Sequence, residues 1–150
     1  MKQYIELLPS PASLIESLRS IGYSLEAAVA DVIDNSIAAK ARNIGLRFAW
    51  DSGYPWLAII DDGSGMSQSE LVTAMRLGSV SPLAARGKDD LGRFGLGLKT
   101  ASFSQCRKLT VLSRQSGQTN CYQWDIDLIT NDDSAGWRLV VLDEEEICSH

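Results

Sequence analysis

Three groups of residues have the types and spacing to hold an anion and do chemistry beside it. Asp31-x-x-x-Asn35 sets a carboxylate and an amide one helical turn apart, Asp61-Asp62-Gly63-Ser64-Gly65-Met66 closes an apolar run, and Gly92-Arg93-Phe94-Gly95-Leu96-Gly97-Leu98-Lys99-Thr100 leads into a helix-compatible stretch. Glycines at spacing G-x-x-G-x-G ahead of a helix let the backbone approach closely and aim amide N–H groups at an anion, for which phosphate is the obvious candidate. Taken alone, a glycine cluster or the Asp-Asp-Gly-Ser-Gly run is as readily a tight turn. The order and spacing of all three groups point instead to one bound nucleotide. Two other phosphate motifs do not fit. A Walker loop needs G-x-x-x-x-G-K-[ST], and here Leu98 separates Gly97 from Lys99; a dinucleotide fingerprint needs G-x-G-x-x-G after a strand, and this box runs in the opposite order after a polar segment.

On a helix with Asp31 at 0°, Asn35 falls at about 40° and Asp34 at about 300°, while Leu25, Val29, Val32, Ile33 and Ile37 occupy roughly 100–240°. Carboxylate and amide therefore share a face, and Ala27, Ala28 and Ala38 lie on the same arc, leaving room for a bulky ligand. A carboxylate at a strand end, Asp61, accepts a hydrogen bond from an exocyclic amine, and Gly63 and Gly65 remove side chains where a flat base slides in. Guanine presents a carbonyl there, so adenine is the expected base.

These groups must be positioned by local elements. Ser10-Pro11 is a helix start for a first helix over roughly 11–21, with Ser10 as cap, and Gly22 and Ser24 end it and open a second helix through about residue 39. Ile44, Leu46, Phe48 and Trp50 alternate as in a half-buried strand, and Asp51–Pro55 turns into Trp56–Ile60 to make a hairpin that delivers Asp61. Ser67 and Glu70 form a capping box for a short helix through about Leu77. Gly78–Asp90 is a polar loop. Beyond the glycine box, 109–112, 122–126 and 137–142 are expected strands with Ser116-Gly117 as a turn, 131–134 is a loop, and the acidic run 143–146 is a solvated helix start.

The 150 residues fit one domain, and 45% hydrophobic with 22% charged residues is globular composition. A net charge of −5 argues against a broad nucleic-acid footprint, so nucleic acid is expected only through other domains. With no apolar run long enough for a signal peptide or a membrane span, the expected location is the cytoplasm, away from membranes. Cys106, Cys121 and Cys148 form no C-x-x-C pair and His150 is the single histidine, which excludes most zinc sites and leaves reduced thiols.

Over roughly residues 10–142 the chain resembles the ATP-binding domain of the gyrase, heat-shock chaperone, histidine kinase and MutL superfamily. Its N box, E-x-x-x-N, corresponds to Asp31 and Asn35; D-x-G-x-G to Asp61, Gly63 and Gly65; G-x-x-G-x-G to Gly92, Gly95 and Gly97. The wording of Asp34-Asn35-Ser36 and Gly97–Thr100 is most similar to MORC-like and to MutL- or topoisomerase-like ATPases. The resemblance implies a Bergerat fold, an α/β (α+β) two-layer sandwich in which a mostly antiparallel sheet is covered on one face by helices. It further implies ATP and Mg²⁺, with Asp31 as general base, Asn35 on the metal and Asp61 on the adenine amine. Met66 would pack on the base or serve the core. Gly92 to Gly97, including Arg93, Phe94 and Leu96, would form the phosphate box, and Gly78–Asp90 the lid. Lys99 either reaches phosphate from the helix start or is a solvated helix lysine.

The sequence departs from the family in two ways. Position 31 carries Asp where Glu is usual, shorter by about 1.5 Å of reach, and a 1 Å misplacement costs on the order of a hundredfold in rate, so slow hydrolysis is expected. No later phosphate-sensing residue is evident, and the chain is expected to be an N-terminal piece of a longer protein, coupled through lid closure to dimerisation or to downstream domains. The alternatives are a nucleotide-regulated binding module without useful turnover and a histidine-kinase catalytic domain.

Overall fold

The computed structural model describes residues 3–5, 9–20, 22–51, 53–77, 97–131, 136–143 and 145–146. Gly92, Arg93, Phe94, Gly95 and Leu96, the expected lid over 78–90, and Cys148 and His150 lie outside the described residues.

Among the described residues five helices and five strands follow one another as α1 (Pro11–Arg19), α2 (Leu25–Ala38), β1 (Ile44–Asp51), β2 (Tyr54–Asp61), α3 (Gln68–Met75), α4 (Gly97–Gln105), β3 (Lys108–Gln115), β4 (Gln118–Asp125), α5 (Ile126–Asn131) and β5 (Val140–Val141). The pairings are all antiparallel: β1 with β2, and β3–β4–β5 in that order. This is the α+β class expected. Helix starts follow local chemistry. Ser24 Oγ accepts from the Ala27 amide at 3.2 Å, and Ser67 and Glu70 make the reciprocal capping box. At α1, Ser10 takes the extended N-cap conformation ahead of Pro11, but its side chain makes no capping bond.

Burial concentrates on Ile15 of α1, Leu71 and Met75 of α3, Phe103 of α4, Tyr122 and Trp124 of β4, and Ile126 and Ile129 of α5. Trp124 is wedged edge-on between Phe103 and Trp137, with ring centroids 6.3 and 6.2 Å away, and its indole N–H donates to the Met75 carbonyl at 3.0 Å. Arg19, at the end of α1, donates to the carbonyls of Phe103 and Cys106 and so satisfies the C-terminal end of α4. Burial raises the thiol pKa of both Cys106 and Cys121, which are unbridged.

Three elements differ from the expectation. Helix α5 replaces the end of a strand and part of a loop, because the Asp125 carboxylate accepts from the Asp127 and Leu128 amides and caps a new helix directly at the end of β4. On α2 the buried residues are Ala28 and Ser36, whereas Leu25 and Ile37 are 53% and 50% exposed. The helix packs chiefly on α4 and only lightly on β2, and the buried Ala28 is spent on protein contact instead of on room for a ligand. The hairpin, expected to be half-buried, leaves Phe48 and Trp50 81% and 80% exposed, since its tip extends past what α2 covers.

Lys99 is buried, 2% exposed, and its ammonium donates to the carbonyls of Ala74 and Arg76 at 2.7 and 2.8 Å. A cation on the last carbonyls of α3 meets the negative end of that helix, yet burial still lowers the lysine pKa from 10.5 to about 8. The unfolded chain keeps the proton up to the higher value and the folded chain only to the lower, so stability rises with pH across that window and the charge penalty is complete below it. Denaturant melts of wild type and Lys99→Met between pH 7 and 10.5 will show wild type gaining on the variant above pH 8; a difference independent of pH would contradict a depressed lysine.

Candidate functional site

Helix α2 is the platform. It carries Asp31, Asn35 and Ser36 within six residues, and the three differ in what they meet. Ser36, buried, donates its hydroxyl to Asp61 Oδ2 at 2.9 Å, joining α2 to the end of β2. Asp61 Oδ1 accepts from the Gly63 amide at 2.9 Å. The Asp61 carboxylate is thus oriented from two sides and remains exposed. Asn35 is exposed, and among the described residues its side-chain amide has no hydrogen-bond partner. Asp31 is half-buried and accepts at Oδ2 from the Tyr23 hydroxyl, while its other oxygen has no partner among the described residues. That carboxylate holds the Tyr23 phenol above its ordinary pKa, first through the hydrogen bond, with burial and charge adding in the same direction.

The neighbouring acid is structural. Asp62 accepts from the amides of Asn43 and Arg42 and from the Asn43 side chain at 2.7–2.9 Å, bonds that hold its pKa below the usual carboxylate range. It pins the start of β1 while Asp61 faces α2.

The two glycines are required by the protein itself. A Cβ on Gly63 would lie 2.9 Å from the Ala39 Cβ and 2.8 Å from Asp61 Oδ1. At Gly65, with φ +65°, a Cβ would fall 2.0 Å from the Arg114 carbonyl oxygen. Close approach to α2 and β3 by itself excludes a side chain at both positions. The loop is tied down at both ends: the Ser64 amide donates to the Ala39 carbonyl at 3.0 Å, and the Met66 amide to Ser113 Oγ at 2.8 Å. Met66 itself packs against the main core.

Gly97 is the first residue of α4, so the last glycine of the third box stands at a helix N-terminus beside α2. Lys99, two residues in, donates its ammonium to the α3 carbonyls and is buried, so it is not a solvated helix lysine. Among the described residues no three His, Cys, Asp or Glu side chains gather into a metal cage, and no helix is long and apolar enough to cross a membrane. An apolar cleft of about 760 Å³ lined by Leu14, Val72, Trp124 and Leu139 involves none of the residues above.

Sequence reasoning singled out Asp31, Asn35, Asp61, Gly63 and Gly65 and missed Tyr23, Ser36 and Ser113, which hydrogen-bond to Asp31, to Asp61 and to the loop after Asp61. Ser36 sits in the quoted Asp-Asn-Ser run, and its place one turn before the helix end facing a strand-end acid was the available signal. Tyr23 and Ser113 carried no motif signal, because their partners are distant in sequence.

Residues 23–148 match the family described as Histidine kinase-, DNA gyrase B-, and HSP90-like ATPase. The chain is 31% identical over 90 residues to ATPase morc-1 of Caenorhabditis elegans, covering 60% of this chain and 10% of that protein. It is 27% identical over 132 residues to chaperone protein HtpG of Rickettsia canadensis (strain McKiel), covering 81% and 20%. To DNA mismatch repair protein MutL of Acidiphilium cryptum (strain JF-5) it is 29% identical over 102 residues, covering 67% and 17%. The chain therefore spans between a tenth and a fifth of the length of these relatives.

The glycine loop yields a stability test. Gly117 has φ +80° and nothing within 4 Å of an added Cβ, so Gly117→Ala will cost about 1–2 kcal/mol from backbone strain alone. Gly65→Ala adds overlap with the β3 backbone and will cost at least about 3 kcal/mol. Urea unfolding of the two variants measures the difference; equal costs would mean the loop moves freely off β3.

Proposed function

Because the chain belongs to the family of histidine kinase-, DNA gyrase B- and HSP90-like ATPases, we propose that it binds ATP together with Mg²⁺ and hydrolyses it slowly at α2, the end of β2 and the start of α4. The family supports ATP binding in general. The observation that carries the reading to these residues is the Ser36–Asp61 hydrogen bond, which makes one unit of the helix bearing Asp31 and Asn35 and the strand-end carboxylate.

Two carboxylate oxygens offer about four acceptor positions, and Asp61 uses one on Ser36 and one on Gly63. It keeps capacity for the exocyclic amine of adenine, directly or through water, and would meet the guanine carbonyl with repulsion. The free side-chain oxygen of Asn35 has the hardness Mg²⁺ prefers, in a site where phosphate oxygens and water complete the shell. Bound there, the metal supplies neutralisation of phosphate charge. Asp31, with one oxygen held by Tyr23 and the other unpartnered, is suited to take a proton from the water that attacks the terminal phosphorus as the bond to the leaving ADP oxygen breaks.

To this reading belong nucleotide-dependent closure of 78–90, dimerisation, and coupling to further domains of the same protein, in the cytoplasm. The likeness to an ATPase, a chaperone and a mismatch repair protein supports a shared nucleotide module used in different processes. The short acid at position 31 favours one second reading, a nucleotide-regulated module without useful turnover.

Calorimetry with ATP, ADP and GTP tests the first part: ATP and ADP bind, GTP binds at least about tenfold more weakly, and Asp61→Asn lowers ATP affinity about tenfold, the loss of roughly one charge-assisted hydrogen bond. Equal affinity for GTP and ATP would remove Asp61 from base recognition. Single-turnover hydrolysis tests the second: Asp31→Asn retains ATP affinity and slows the chemical step by at least about a hundredfold. Unchanged hydrolysis in that variant would favour the non-hydrolysing module.

A further inference from the structure

Tyr23 precedes the N-cap Ser24, and its phenol reaches past the first turn of α2 to donate to Asp31 Oδ2. Its own carbonyl accepts from Gln105 Nε2 of α4 at 2.7 Å. The residue is thus fixed at its backbone by α4 and at its tip by the acid, and the half-buried ring spans the gap between them.

We propose that Tyr23 is a positioning residue for ATP hydrolysis: its phenol fixes one oxygen of Asp31 so that the unpartnered oxygen is presented to the attacking water. The inference rests on the reading of Asp31 as the base. A free aspartate side chain samples several rotamers, and a short acid has little reach to spare; holding one oxygen removes that freedom without occupying the oxygen that takes the proton. Orientation is what such a bond supplies, because misplacement of a reacting group by about 1 Å costs on the order of a hundredfold in rate.

The test is a double-mutant cycle with Tyr23→Phe, which keeps the ring and loses only the hydroxyl, and Asp31→Asn. Wild type, both single variants and the double are compared for ATP affinity by calorimetry and for single-turnover hydrolysis at saturating nucleotide. Tyr23→Phe will hold ATP affinity within about twofold while the rate of the chemical step falls tenfold or more, and it will cost nothing further in the Asp31→Asn background. An unchanged or raised rate in Tyr23→Phe, a matching loss of ATP affinity, or additive losses in the double variant would each overturn the positioning role while leaving Asp31 as base if Asp31→Asn is inactive. Full turnover by Asp31→Asn, or none by wild type, would overturn both the base and its positioning residue.

Discussion

A buried ammonium constrains this fold more tightly than any single apolar contact. Lys99 is almost inaccessible, so its charge must be met by protein, and the carbonyls of Ala74 and Arg76 at the end of α3 meet it. That requirement fixes where α4 starts relative to where α3 stops. Once α4 is fixed, Phe103 enters the core against Trp124, the Arg19 guanidinium caps the helix end, and Gln105 reaches the backbone of Tyr23. The path from a core lysine to a carboxylate on α2 thus runs through one helix.

Elements whose determinants are local were legible in the sequence. Ser67 and Glu70 announced α3 because both halves of the capping box lie within four residues, and the hairpin followed from alternation around a glycine turn. Determinants that depend on what lies opposite were not. Apolar periodicity on α2 identified a helix but misjudged its buried side, which holds Ala28 and Ser36 while Leu25 and Ile37 stay exposed, because a sequence pattern does not carry the neighbour's shape. Helix α5 hid behind Asp125, whose role as cap at a strand end cannot be told from a strand-end acid until the backbone turns.

The site followed the same division. Asp31, Asn35 and Asp61 were readable from type and spacing; the hydrogen bonds from Tyr23 and Ser36 that orient them connect residues 8 and 25 positions apart. The glycines of 63–65 were read correctly as places where side chains are excluded, but the excluding bodies are Ala39 and the backbone at Arg114. A motif records that a side chain cannot be tolerated without recording what would collide with it.

The aspartate at position 31 can be understood within this geometry. An acid shorter by a methylene needs either a helix that stands nearer the reacting atoms or a tighter hold on the reach that remains. The phenol of Tyr23 supplies the hold, anchored through Gln105 to α4. Tyr23 and Lys99 thus meet on one helix: α4 holds the backbone of the first through Gln105 and carries the second, whose ammonium is held at the end of α3.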